Sequence, residues 1–477
     1  MSFFKAYDMR GTFGTDFGLD TVYRVGLALP GVLEKANGAP GRRILIGRDC
    51  RETSEAIRDA LVRGLVAAGA EVTDLGLCTT PMVYFFTAED GYDGSVMITA
   101  SHNPPSDNGL KVSRRGALPV GYADGLGEVE RLVGAMGEDA GRETRDAESG
   151  DVRHETNALA RYIAWMKTNI PSSLIPRPSS LIPHPSSLSY AVDCSNGMAS
   201  LLVRELFPGA VVINDTLDGR FPNHSPNPLK ADAREQVAAL VRERKLDCGV
   251  IFDGDADRCM FVDERGEFVQ PDYLIPVVAR ATMDARRETR DTDLAPDASR
   301  PRIIHDVRTS RGAIEAIRGL GCEPVMVPVG HAFAKPILRK SGAVCGGELA
   351  GHYYFREFHF CDSGALAALR ILGEIAAAKA RGETFSAMMK PISGVYANSG
   401  EMNFKVDDKD AAIARVLAVA KEKLPPEISR SEMDGVRVEY EEGWINIRKS
   451  NTEPYLRLIV ERRGDVAEWI GMLRGVL

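Results

Sequence analysis

The feature that most narrows the possible folds of this sequence is an alternation that occurs three times: a short apolar run, an amphipathic segment, then another apolar run. RILIGRD (43–49), SEAIRDALVRGLVAAG (54–69), EVTDLGL, a short helical segment at PMVYFF and SVMIT make the first unit. SYAVDC, MASLLVRELF, AVVIND, AREQVAALVRERK and CGVIF make the second. RIIHDV, SRGAIEAIRGLG and EPVMVPV make a third, closed by GALAALRILGEIAAAKARG. Short apolar runs bounded by turn residues read as buried strands, and the longer periodic segments as helices, so each unit is a βαβ series. Ser54 is expected to cap its helix, with a glycine stop at the other end. After about residue 392 the rhythm changes to a helix (DKDAAIARVLAVAKEKL), two strands (VRVEYEEGWINIR and LRLIVE) and a final helix, the pattern of a small α+β domain.

This organisation predicts an α/β protein of four domains: 1–150, 151–266, 267–392 and 393–477. Two segments interrupt it. Residues 171–187, PSSLIPRPSSLIPHPSS, carry prolines too closely spaced for a helix or a central strand, and 284–302 are polar and charged; both read as surface insertions or linkers. The net charge of −8 leaves no footprint for nucleic acid or an anionic membrane. The start has no long apolar segment and no run of membrane-spanning length occurs, so a cytoplasmic protein is expected. The eight cysteines are scattered without a Cys-x-x-Cys pair, which suits reduced thiols.

Chemistry collects in four polar loops, each following an apolar strand, which is where open α/β sheets bind ligands. In SVMITASHNPPSDNGLKV, Ser101 and His102 sit where the strand ends; a plain turn of Ser, Asn and Pro is one reading, an exposed nucleophile on a surface loop the other. CGVIFDGDADRCMFV places Asp253, Asp255 and Asp257 at alternate positions. Three carboxylates this close repel unless a cation joins them, and oxygen ligands suit Mg²⁺. An EF-hand needs glycine where Arg258 stands, and a haloacid-dehalogenase-type nucleophile motif lies elsewhere in its domain. AVCGGELAGHYYF offers Glu348 and His352 in a glycine-rich turn, acceptor and donor for sugar hydroxyls, with His331 and Lys335 flanking a turn upstream. INIRKSNTEPYLRL crowds Arg448, Ser450, Asn451 and Thr452 together with Arg457 nearby, a donor set that suits a phosphate. The combination points to phosphoryl transfer on a sugar phosphate.

On these residues the chain resembles the α-D-phosphohexomutase family, and most its phosphomannomutase/phosphoglucomutase branch. The motifs come in family order: YDMRG (7–11), TASHNP (99–104), DGDADR (253–258), GELAGH (347–352) and RKSNT (448–452). The resemblance implies three similar α/β domains with mixed sheets and a C-terminal α+β domain around a central cleft. It implies that Ser101 carries a phosphoryl group, gives it to a hexose monophosphate, and takes back the other phosphate of the resulting 1,6-bisphosphate. Mg²⁺, one per site, would lie on Ser101, Asp253, Asp255 and Asp257, with a hexose 1,6-bisphosphate as activator. Arg10 and Arg258 would steady developing charge, His102 would support the loop or the phosphate, Lys111 and His352 are the acid/base candidates with the step each performs left open, and His331 is a further catalytic residue. Tyr7, Arg308, Lys335, Glu348, Ala350, His352, Arg448, Ser450, Asn451, Thr452 and Arg457 would bind substrate. The implied partner is a small phosphosugar, and the assembly a monomer or homodimer.

The chain departs from the family at Ala350, where a serine is usual, and at Arg308, where a lysine is often found. Two rivals remain: a phosphoglucosamine mutase, disfavoured by Thr99 and Leu349, and a sugar-phosphate-binding regulator without catalysis, disfavoured by Ser101, the three aspartates and Arg258.

Overall fold

A computed structural model describes residues 3–136, 152–171, 174, 188–289, 300–450 and 454–477, with the side chains of 287–289 excepted. The chain divides into two compact units, Met1–Val269 with Ala350–Gly382, and Gln270–Leu349 with Glu383–Leu477.

The first unit holds two mixed sheets. One runs in the order Met9–Thr12, Asp107–Arg114, Gly94–Ile98, Arg43–Arg48, Glu71–Leu77 and Arg153–His154, with Leu118–Pro119 paired beside it. Arg43–Arg48 pairs in parallel with both of its neighbours, while Asp107–Arg114 is antiparallel to Gly94–Ile98 and to Met9–Thr12. Val25, Leu29, Ile44, Ile46, Leu61, Val96 and Ile98 form its core. The helices Leu19–Asn37 and Ser54–Ala67 approach closely because both crossing residues are glycines: a Cβ on Gly64 would stand 2.9 Å from the Cα of Gly26. The other sheet runs Phe268–Val269, Cys259–Val262, Cys248–Phe252, Tyr190–Asp193, Val211–Ile213. Its central strands are parallel and wholly buried, which is why they read as continuous apolar runs. A short hairpin, Tyr353–Phe355 with Cys361–Asp362, leads into the helix Gly364–Ala380.

In the second unit, Arg302–Asp306 lies in parallel between Glu323–Val327 and Cys345–Gly347. Helices Ile275–Thr289, Arg311–Gly319, His331–Ser341 and Phe385–Ser393 accompany them. The chain ends in an antiparallel sheet of order Tyr396–Asn398, Leu456–Arg463, Gly443–Lys449, Val436–Glu439, Ser429–Ser431, with Met402–Phe404 also paired to Leu456–Arg463. Helices Lys409–Lys423 and Ala467–Arg474 supply Val416, Trp469 and Leu473 to the core that covers it. The architecture is the expected one, α/β units followed by an α+β domain.

Several local expectations are corrected. The helix cap is Thr53, because the Ser54 hydroxyl is used by Asp49 at 2.6 Å and lies inside the first turn. VRVEYEEGWINIR is two strands joined by a turn in which Tyr440 N–H donates to Gly443 O at 2.8 Å. MASLLVRELF makes only a single tight turn and a short helix, Val203–Leu206. His331 and Lys335 share one helix rather than flanking a turn. Residues 284–289 continue the helix Ile275–Thr289, while 290–299 and most of 171–187 lie outside the described residues. No described helix is long and apolar enough to cross a membrane. None of the eight cysteines forms a disulfide.

Candidate active site

Where the strand Gly94–Ile98 ends, Thr99 Oγ1 accepts from Ser101 N at 2.8 Å and Ser101 takes a left-handed backbone, φ 52°. The loop is held from beneath by one side chain. Arg51 donates to the carbonyls of Ser101, Asn103, Pro104 and Asp107 at 2.6–3.0 Å and to Asp49 at 3.1 Å, with its side chain fully buried. Ser101 is therefore 3% exposed, a correction to its expected place on a surface loop. Gly254 makes the approach of the second loop possible, since a Cβ there would meet Ser101 O at 2.5 Å.

The strand Cys248–Phe252 delivers Asp253, and the turn that follows delivers Asp255, Asp257 and Arg258, all buried. Ser101 Oγ donates to Asp253 Oδ2 at 2.9 Å, receives Arg258 Nη2 at 3.3 Å and lies 3.2 Å from His102 Nδ1. Arg258 Nε also donates to Asp253 Oδ2 at 2.9 Å. Lys111, on the strand Asp107–Arg114, donates to Asp255 and Asp257 at 2.7 Å each, and Thr80 Oγ1 donates to Asp255 at 2.5 Å. The aspartates are thus partly neutralised by the chain itself. One carboxylate oxygen from each of Asp253, Asp255 and Asp257 falls within 4.8 Å of the others, and Asp255 Oδ1 and Asp257 Oδ1 are buried without a hydrogen-bond partner. Orphaned carboxylate oxygens in an all-oxygen set fit a hard divalent cation.

Two further groups complete this cluster. His352 Nδ1 donates to Asp362 Oδ2 at 2.7 Å and lies 3.7 Å from Asp257 Oδ1. Arg10 donates to Asn103 Oδ1 at 3.2 Å and pairs with Asp8, while Tyr7 is half-buried two residues before the strand Met9–Thr12 begins. Burial, then the charges of Arg258 and Arg10, hold His102 well below the ordinary imidazole range. Burial opposes charge on His352 too, but Asp257 and Asp362 raise it. Burial disfavours the Lys111 ammonium, yet Asp255 and Asp257 raise it above the ordinary value, so it stays charged. Burial pushes Asp253 upward.

The second unit gathers a different set. Arg308, just before the helix Arg311–Gly319, donates twice to Asp306 at 2.7 and 3.2 Å, and lies 3.8 Å from Glu348 and 3.7 Å from Glu401. Arg448 and Arg457 face each other across paired strands, and Glu401 joins them, accepting from Arg448 at 2.8 Å and Arg457 at 3.2 Å. Arg448 belongs to the strand Gly443–Lys449 and is buried, whereas its motif suggested a loop; Ser450 follows it, and Asn451 and Thr452 lie outside the described residues. Lys335 is buried and His331 half-buried on their helix. Within GELAGH, Glu348 lies in the second unit, 3.8 Å from Arg308, and His352 in the first, 3.7 Å from Asp257.

Arg51, Thr80, Asp362 and Glu401 were not singled out from sequence. Asp49 and Arg51 do follow a strand, as the four chosen loops do, and that placement was the available signal. Glu401 had none, because its partners are remote in the chain.

Four family models match in succession, described as phosphoglucomutase/phosphomannomutase α/β/α domains I (residues 1–132), II (176–266) and III (270–393) and the C-terminal domain (401–469). A protein of Xanthomonas campestris named "Phosphohexose mutases" is 36% identical over 470 residues, 97% of this chain and 96% of that one. A phosphomannomutase of Escherichia coli is 35% identical over 473 residues, 97% of this chain and 96% of its own. The crystal structure of a phosphoglucomutase/phosphomannomutase family protein from Burkholderia thailandensis superposes with a TM-score of 0.79 at 29% identity, covering 99% of this chain and 96% of that one.

Proposed function

Because the chain belongs to the phosphoglucomutase/phosphomannomutase family, we propose that it interconverts the 1-phosphate and 6-phosphate of mannose or glucose through a phosphorylated Ser101 and a hexose 1,6-bisphosphate. The observation that carries this reading is the Ser101 hydroxyl itself, buried and held between Asp253, Arg258 and His102 at 2.9, 3.3 and 3.2 Å. A structural serine needs no such company.

In this reading the bond between phosphorus and Ser101 Oγ breaks as a sugar hydroxyl forms its own bond to phosphorus, and the hydroxyl proton leaves to a base. The second half runs the same chemistry backward from the other phosphate. Transfer of this kind depends on alignment and charge compensation more than on covalent help. Arg258 already reaches Ser101 Oγ and supports charge on the transferring oxygens. His352, oriented through Nδ1 by Asp362, is the group that takes and returns the proton. Lys111 is held charged on two aspartates and is the weaker base. His102, kept neutral, donates from Nδ1 to Ser101 Oγ or to a phosphate carried there. Mg²⁺ held by Ser101, Asp253, Asp255 and Asp257 would supply Lewis-acid neutralisation of the phosphate when bound. Arg308, Arg448 and Arg457, with Ser450, Asn451 and Thr452, bind the phosphate that is not being transferred; Glu348, Lys335, His331 and Tyr7 contact the sugar. The domain limits 1–150, 151–266, 267–392 and 393–477 belong to the same proposal.

A coupled assay on mannose, glucose and glucosamine 1-phosphates tests it. Ala350 offers no hydroxyl to the sugar, so mannose and glucose 1-phosphates are expected within about two decades of each other in kcat/KM. Glucosamine 1-phosphate should be clearly worse, and a preference for it would overturn the assignment of branch.

A further inference from the structure

Arg448 and Arg457 stand directly opposite each other in an antiparallel pair, with Arg308 alongside. Like charges in such a pair repel, and Arg448 and Arg308 are almost fully buried, so their charge cannot be left to water. Asp306 answers for Arg308 at 2.7 Å, and one further carboxylate reaches all three arginines. Glu401, one residue before the short strand Met402–Phe404 that pairs with Leu456–Arg463, divides its two oxygens among the three guanidinium groups. Burial raises the Glu401 carboxyl, but Arg308, Arg448 and Arg457 together hold it below the ordinary range, so it is an anion. Its side chain keeps 19% exposure, where that of Arg448 has 1%. A carboxylate on three arginines presents negative charge and a pair of acceptor oxygens to them, as a phosphate would, with less charge and fewer oxygens.

We propose that Glu401 is an internal stand-in for phosphate: its carboxylate neutralises the arginine cluster in the free protein and competes with the substrate's phosphate for it. This rests on the reading that these arginines bind phosphate. Glu401 thereby sets how tightly phosphate is held and keeps the product from being bound too long. The alternative is a fixed brace that aligns the arginines, and the two predict opposite signs.

Inorganic phosphate is the probe, with its dissociation constant read by calorimetry and by the rise in melting temperature on the full chain, for wild type, Glu401→Gln and Glu401→Asp. A stand-in requires Glu401→Gln to melt lower without phosphate, and to bind phosphate about tenfold more tightly, the size of one partly screened charge contact. Glu401→Asp keeps the charge and should stay within about threefold of wild type. Phosphate affinity that is unchanged or weaker in Glu401→Gln overturns the proposal, as does an Asp variant that binds as tightly as the Gln one. Should Glu401→Gln fail to fold alone, high phosphate must restore it; failure to do so is equally fatal. Any phosphate held elsewhere in the chain is common to all three proteins and drops out of the difference. Mutase turnover of the wild type is measured in parallel, so a protein that turns over hexose phosphates yet shows no Glu401 effect loses this inference alone, and one that shows the effect without turnover loses the reaction.

Discussion

In the first unit a lysine ammonium lies 2.7 Å from two aspartates; in the second a glutamate carboxylate lies 2.8 and 3.2 Å from two arginines. One cluster gathers carboxylates that could hold a cation; the other gathers arginines whose charge suits an anion. Each carries its own counter-ion, Lys111 or Glu401, so that neither leaves a buried charge unpaired. They differ in depth. Ser101, Asp253, Asp255, Asp257, Arg258 and Lys111 are all buried, whereas Glu401 is partly open to solvent. The proposed reading assigns the buried cluster of the first unit to the reaction and the arginine cluster, with its partly open Glu401, to binding. That division can be broken by mutation.

The largest effect belongs to the deep cluster. Asp255→Asn removes a charge from the candidate metal set and one partner of Lys111, and should lower kcat by about a thousandfold, comparable to losing a main electrostatic contact in a transition state. Mg²⁺ titration should show weaker binding, and removal of metal with EDTA should abolish turnover until Mg²⁺ is returned. Turnover indifferent to EDTA would remove the cation from the comparison.

Arg51→Met comes next. It strips the Ser101 loop of its clamp and leaves Asp49 buried without its cation, so about 4 kcal/mol of stability should be lost. In the folded fraction kcat should fall while KM stays near wild type, because the loop that moves carries the nucleophile. Arg51→Lys keeps the charge and should recover part of the stability but little of the rate, since an ammonium cannot reach four carbonyls at once. An equal change in KM would mean that the clamp also shapes substrate binding.

The arginine cluster should respond in the other parameter. Arg448→Gln is expected to raise KM by about thirtyfold and to leave kcat within a few-fold, the pattern of lost binding common to ground and transition states. A fall in kcat as deep as that of Asp255→Asn would erase the division between the clusters.

The smallest effect concerns a buried group that stays neutral instead of being paired. Burial and Arg437 push His305 down to about 4, from an ordinary value of about 6.5. The unfolded chain then takes up the proton first, so this histidine's share of stability is complete above pH ~6.5 and is lost as pH falls toward ~4, about 3 kcal/mol in all. Denaturant titrations of wild type and His305→Gln should diverge in that window, with the variant losing less on acidification. Parallel curves would show that His305 does not carry the difference.

The strand and helix alternation was legible because buried parallel strands show as short apolar runs, and the chemistry was legible wherever it sat in one of the motifs at a strand end. TASHNP and DGDADR carried Ser101, His102 and the three aspartates directly. What escaped was of two kinds. Edge strands such as Met9–Thr12, Met402–Phe404 and Ser429–Ser431 are short and half polar, so their period cannot be told from a turn. Residues such as Asp362 and Glu401 act only through partners brought near by folding, and nothing local marks them. The depth of Ser101 was also hidden, since it arises from Arg51, a residue fifty positions earlier that holds the loop by its carbonyls.

The most direct test of the account is the mass of the intact protein after mixing with glucose 1,6-bisphosphate, followed by localisation of any added group. The account predicts a gain of about 80 Da, one phosphoryl group, on Ser101 alone, kept through turnover of hexose 1-phosphate because the second half-reaction restores it, and never formed in Ser101→Ala, which should have no measurable turnover. An unmodified Ser101 in a protein that turns over substrate, or a Ser101→Ala variant as active as wild type, would contradict it.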